Sequence, residues 1–159
     1  MRYRRQVWRA IRRGFYFHPS GPPVIRSYGY VGNVVCQMVR LMLADVKAVD
    51  GRVFYVGDPP RDLREWVNGF SHALRGHSVV VVPRPLLKIM GLAGDLITQL
   101  RGREFFIHSS RYRSMVTSDV APMANTYALI GPSPMSPDHG VVETVRWLQR
   151  FDGRDGIHF

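Results

Sequence analysis

Ile25-Arg26-Ser27-Tyr28-Gly29-Tyr30-Val31-Gly32-Asn33 passes from a strand-like composition to a helix start within a few residues. Residues 24–31 are short, aromatic and β-branched, which predicts a strand, and Gly32-Asn33 then opens a helix running to about Ala44. Side chains alternate along a strand, so Arg26, Tyr28 and Tyr30 are expected on one face. A guanidinium beside aromatic planes suits a phosphate next to a stacked base or sugar. The competing reading is a half-exposed strand whose arginine is simply solvated.

Towards the start, Tyr3, Val7, Ala10, Ile11 and Phe15 fall on one helical face with arginines on the others, so residues 3–14 read as an amphipathic helix. His18-Pro-Ser-Gly-Pro-Pro reads as a loop. The arginines crowd this end, and no acidic residue precedes Asp45. Such a start also resembles an organelle presequence, but the sequence continues into a domain without a linker.

Towards the end, residues 49–52 form a turn, and 53–56 are a compact apolar run bounded by Gly57 and a proline pair, as in a buried parallel strand. Asp62 can cap a helix through Leu63, Trp66, Val67, Phe70 and Leu74 that ends at Gly76. Residues 78–82 form a third strand halted by Pro83, and 86–100 suit a long, largely buried helix with Gly91 and Gly94 as close-packing points. Residues 102–117 read as irregular and arginine-bearing. Ser118-Asp119 starts a helix closed by Gly131, and Ser136 with Pro137 begins the last one, which frays after Asp152. The order is an α/β mixture in one domain, but three strands make a thin sheet for so many helices, and 53–56 would be covered on one side only.

At 159 residues the chain can bury an ordinary core. The formal charge of +10 suits an anionic partner, and because almost all the basic residues are arginine it would favour bidentate contact with phosphate or carboxylate. The competing reading, and the favoured one, is that the first helix simply has a solvated basic face. The single cysteine, Cys36, excludes a disulfide within the chain and cysteine-ligated zinc, and points to a reducing compartment, the cytoplasm. Gln37, Arg40, Lys88 and Asp95 interrupt the two most apolar stretches, so no membrane span is expected. There is no Gly-x-Gly-x-x-Gly after a strand, no phosphate loop, no Gly-x-Ser-x-Gly elbow and no His-Glu-x-x-His, and the six histidines are scattered.

Residues 24–35 resemble the hallmark strand of extended short-chain dehydrogenases, in which Arg-x-Tyr precedes an aromatic-Val-x-Asp/Asn and a helix. Gly51-Arg-Val-Phe-Tyr-Val-Gly-Asp58 is similar to that family's last sheet strand, Ala128-Leu-Ile-Gly-Pro-Ser-Pro134 to its Leu-Gly-x-x-Pro turn, and Gly140-Val-Val-Glu-Thr-Val-Arg-Trp147 to its closing helix. The likeness is collinear over residues 3–151. It implies the C-terminal, substrate-binding half of an NAD-dependent epimerase/dehydratase, a partial Rossmann-type fold. NAD or NADP would be held by an N-terminal half that this chain lacks.

The Gly-rich loop and the Tyr-x-x-x-Lys pair of the family have no counterpart here, so the chain alone is expected neither to catalyse nor to bind the cofactor. The substrate implied is a nucleotide sugar. Arg26 stands where an arginine typically contacts the pyrophosphate, Tyr28 flanks it, and Asn33 replaces a commoner Asp, as in the hydroxysteroid-dehydrogenase-like branch. Arg84, Arg111 and Arg113 are alternatives for a second phosphate-binding arginine. The partners implied are the missing Rossmann half and, in the complete enzyme, a homodimer. A non-enzymatic reading has the basic first helix binding nucleic acid or an acidic membrane surface, but no stacking platform or groove-reading helix lies beside it, so nucleic acid is not the expected partner.

Overall fold

The computed structural model describes the backbone of residues 2–101 and 108–154 and the side chains of 7–100 and 108–150. The elements are α1 (Arg2–Arg13), β1 (Phe17–Pro19), β2 (Ile25–Arg26), α2 (Val31–Met42), α3 (Val46–Val49), β3 (Arg61–Asp62), α4 (Leu63–Arg75), β4 (Val80–Val82), α5 (Arg84–Arg101), α6 (Ser109–Val116), α7 (Ala124–Ile130) and α8 (Pro137–Arg154). The fold is mixed α/β, mostly helical, with little sheet. The chain divides into two compact units: residues 1–25 with 62–118, and residues 26–61 with 119–159.

In the first unit β1 and β4 run parallel, pairing Phe17 with Val80, His18 with Val81 and Pro19 with Val82. The Ser20 N–H donates to the Val82 carbonyl at 2.8 Å and extends the ladder. The loop expected at His18-Pro19 is therefore a strand. Its partner lies about sixty residues on, which turn propensity cannot register. Helix α4 begins as expected: the Asp62 carboxylate accepts the Arg64 N–H at 2.8 Å, and Gly76, with φ of 75°, closes the helix in the left-handed region. Trp8, Ile11, Leu63, Val67, Phe70 and Leu87 form much of the core, with α1 against α4 and α5 against β1 and α6.

Two expectations for this unit are corrected. Residues 109–116, read as irregular, form a helix whose buried Met115 holds it to the unit, while 102–107 lie outside the described residues. Helix α5 is not largely buried: Leu87 and Gly91 face inward, but a whole side of it is open. Gly91 does pack closely, since a Cβ there would stand 3.4 Å from the Ser109 backbone nitrogen.

The second unit holds α2, α3, α7 and α8, with α2 against α7. Here the strand expected over 24–31 stops at Arg26. Beyond it the backbone bonds to loops: the Ser27 N–H donates to the Asp119 carbonyl at 3.0 Å, and the Tyr28 carbonyl accepts the Asp58 N–H at 2.7 Å. Alternation therefore ends after Arg26, and the shared face of Arg26, Tyr28 and Tyr30 is not built by a strand. Residues 53–56 form no strand either, and Val53 and Tyr55 are exposed. The helix expected from Ser118-Asp119 starts only at Ala124, although Gly131 does close it. The last helix starts at Pro137 as expected, with the Ser136 hydroxyl accepting the His139 N–H at 3.2 Å, and it continues past Asp152 to Arg154; residues 155–159 lie outside the described residues.

Candidate functional site

Helix α2 of the second unit is built inside out. Asn33 and Gln37, one turn apart, are fully buried, and Arg40, a turn further, donates to the carbonyls of Ile130 and Pro132 at 3.1 and 3.0 Å. Val31, Val35, Met38, Val39 and Met42 lie on the outer side, all exposed, Met42 by 82%. A polar residue inside and an apolar one outside both run against the usual partition, so each needs a physical account.

The inward account is a closed hydrogen-bond network. The Asn33 Nδ2 group donates to Asp58 Oδ1 at 2.6 Å and to the Met135 carbonyl at 2.8 Å, while its Oδ1 accepts the Met135 N–H at 3.2 Å. The other Asp58 oxygen accepts the Tyr30 N–H at 2.7 Å, satisfying a backbone donor at the start of α2. Gln37 takes the Gly57 N–H at 2.7 Å and returns Nε2 to the Gly57 carbonyl at 2.8 Å and to Ser133 Oγ at 2.7 Å. The Tyr127 hydroxyl donates to the same Gly57 carbonyl at 2.6 Å. Residues 57–58 and 133–135 are thereby fixed to α2.

Beside this network Pro59, Tyr127, Pro132, Ser133, Met135, Ser136 and Pro137 line an open recess of about 520 Å³. Its lining is largely apolar and carries no charged side chain. The Tyr127 hydroxyl hydrogen is committed to Gly57 and Ser136 to the helix cap, so the recess offers shape and apolar contact rather than an acid–base pair. Among the described residues no group of histidine, cysteine or carboxylate side chains could hold a metal ion.

The residues expected to bind substrate divide between the units. Arg26, Tyr28 and Asn33 belong to the second. Arg26 is largely sheltered, with Nη1 3.9 Å from the exposed Asp119 carboxylate, so a ligand phosphate would share or displace that counter-charge. Tyr28 is half-buried. Asn33 has no exposed surface, and both its amide hydrogens and its oxygen are spent on Asp58 and Met135; it holds the fold and offers no contact to a ligand.

Arg84, Arg111 and Arg113 belong to the first unit. Arg84 opens α5 with its guanidinium against Gly21, where a Cβ would come within 2.9 Å of Nε, and that Nε has no hydrogen-bond partner among the described residues. Arg111 is buried in α6, and Arg113 is exposed on the same helix. The sequence reading missed Asp58, Tyr127 and Ser133. Gln37 was visible as a break in an apolar helix, the one signal that this helix turns a polar face inward.

No family model matches the chain. No curated protein matches it either. A solved structure titled "Crystal structure of gox2253" is similar with a TM-score of 0.54 at 10% sequence identity, over 94% of this chain and 44% of that one. At that identity the likeness is one of fold. This chain spans less than half the length of gox2253.

Proposed function

We propose that this chain is the substrate-binding portion of an NAD- or NADP-dependent epimerase/dehydratase acting on a nucleotide sugar, with a Rossmann-type half supplying the cofactor site. The observation that carries the reading is the inverted helix α2. Its row of Val31, Val35, Met38, Val39 and Met42 is the kind of face that a helix lays on a sheet in α/β architectures, and in this chain it is open. Val53 and Tyr55, in a segment of the same unit without regular secondary structure, are exposed with it and have the composition of a strand awaiting a sheet edge. The fold likeness to a chain more than twice as long supports the same reading. Arg26 and Tyr28, leading into α2, are the groups through which the phosphates would be held.

Calorimetric titration of the chain tests it. UDP-glucose or dTDP-glucose should give a weak saturable heat whose affinity falls in Arg26→Ala, and NAD and NADP should give none. A micromolar dissociation constant for either dinucleotide would overturn the half-enzyme reading, and silence towards nucleotide sugars would overturn the substrate.

One observation favours a second reading, a hydroxysteroid- or sterol-dehydrogenase-like substrate: the recess is walled by Pro59, Pro132, Met135 and Pro137 with no charge among its lining residues. Saturable binding of a hydroxysteroid that Met135→Glu removes would select it over the sugar.

A further inference from the structure

The charge of the chain is divided as unevenly as its surface. Residues 1–25 and 62–118, the first unit, hold 14 Lys and Arg against 4 Asp and Glu, whereas the second unit holds 8 of each sign. The entire net charge of +10 therefore belongs to one unit. That unit also carries α5, on which Leu86, Ile89, Leu92, Leu96 and Leu100 recur every three or four residues and are each between 50% and 77% exposed. Lys88 and Gln99 flank this stripe, both exposed. Asp95, the helix's one acidic residue, is turned back to accept the Ser109 N–H at 3.1 Å.

We infer that the first unit docks on an anionic membrane surface, with the Leu86–Leu100 side of α5 laid into the boundary between headgroups and acyl chains. The inference is independent of the proposed function. A large exposed aliphatic stripe loses free energy in water and recovers it in lipid. An excess of arginine in the same unit supplies the long-range attraction to anionic headgroups, and the Lys88 stem can lie along apolar surface while its ammonium reaches phosphate. Nucleic acid would satisfy the charge but has no use for five exposed leucine and isoleucine side chains. No helix among the described residues is long and apolar enough to cross a membrane, and with Lys88 and Asp95 on it α5 has the make-up of a helix that lies in the interface.

Sedimentation of the full chain with vesicles tests it. Phosphatidylcholine vesicles containing about a quarter phosphatidylglycerol should carry the protein down, and pure phosphatidylcholine should do so at least about tenfold less well. Leu92→Ser with Leu96→Ser should lower the partition to anionic vesicles by about tenfold or more while leaving the circular dichroism unchanged, because both side chains are exposed. In case that pair unfolds, Leu96→Trp gives a second readout, its added emission shifting to the blue on anionic vesicles. Three results would overturn the inference: no binding to anionic vesicles; binding that the serine pair leaves unchanged, with equal affinity for duplex DNA; or a dimer in solution that the serine pair dissociates, which would assign the stripe to a second copy of the chain.

Discussion

Asn33 at the start of α2 donates its amide to Asp58 across 2.6 Å, and the two residues are both buried. Asp58 in turn holds the Tyr30 N–H at 2.7 Å, so one carboxylate ties the entry of the helix and its first inward side chain to the same loop. The pair explains why an asparagine occupies this position: an aspartate would set a second carboxylate against the first with no hydrogen to share.

Asn33→Asp is expected to destabilise the second unit more than Asn33→Ala does at neutral pH, because it sets a second carboxylate where Asp58 now accepts an amide N–H. Asn33→Ala removes three hydrogen bonds and leaves buried groups unpaired, a loss of about 2–4 kcal/mol. Urea unfolding of both variants at about pH 7 reads the two losses. Equal stability of the two variants at neutral pH would contradict the account.

Gly140→Ala should destabilise the chain although helix propensity favours alanine. A Cβ at Gly140 would lie 2.7 Å from the Tyr30 Cβ and 2.8 Å from its Cγ, atoms that no rotation about the Tyr30 side-chain bonds beyond Cβ can clear. Crowding of this kind costs about 1–3 kcal/mol. The thermal midpoint is the measurement, and a rise would mean that α8 is not held against Tyr30.

His18 should make stability fall with acid. It is buried on β1, its Nδ1 lacks a hydrogen-bond partner among the described residues, and burial holds its pKa below the ordinary histidine value; Asp62 raises it again in part, and Arg64 adds to the lowering. The unfolded chain therefore takes up the proton first, so stability present above the ordinary value of 6.5 is lost as pH falls below it towards the folded value. Cooling of the melting midpoint from about pH 7.5 to about pH 5.5 should be smaller in His18→Phe than in the unsubstituted protein. Parallel pH profiles would remove His18 from the account.

Arg26→Ala should weaken nucleotide-sugar affinity roughly ten- to a hundred-fold, from the 1.5–3 kcal/mol or so typical of a charge-assisted contact. Arg26→Lys should recover only part, because an ammonium lacks the planar fork. Asp119→Asn, which removes the counter-charge 3.9 Å away, should tighten binding instead. Affinity indifferent to all three substitutions would remove Arg26 from the site.

Signals that close within a few residues were legible in the sequence. Asp62 and Gly76 bracket α4 and Ser136 with Pro137 starts α8, because a cap is satisfied by its own neighbourhood. Of the apolar face expected on the first helix Ala10 and Ile11 are buried, whereas Phe15 is exposed and Trp8, not assigned to that face, is buried. What tertiary structure decided depends on partners far along the chain. His18-Pro19 becomes a strand only because Val81 and Val82 come beside it, and Arg26 ends its strand because Ser27 turns to Asp119. Helix α2 shows the same division most plainly. Its existence was legible in the sequence, but which of its faces lies inside was set by the Gly57-Asp58 and Ser133–Met135 loops, whose backbone groups pair with Asn33 and Gln37 and leave the valines and methionines outside.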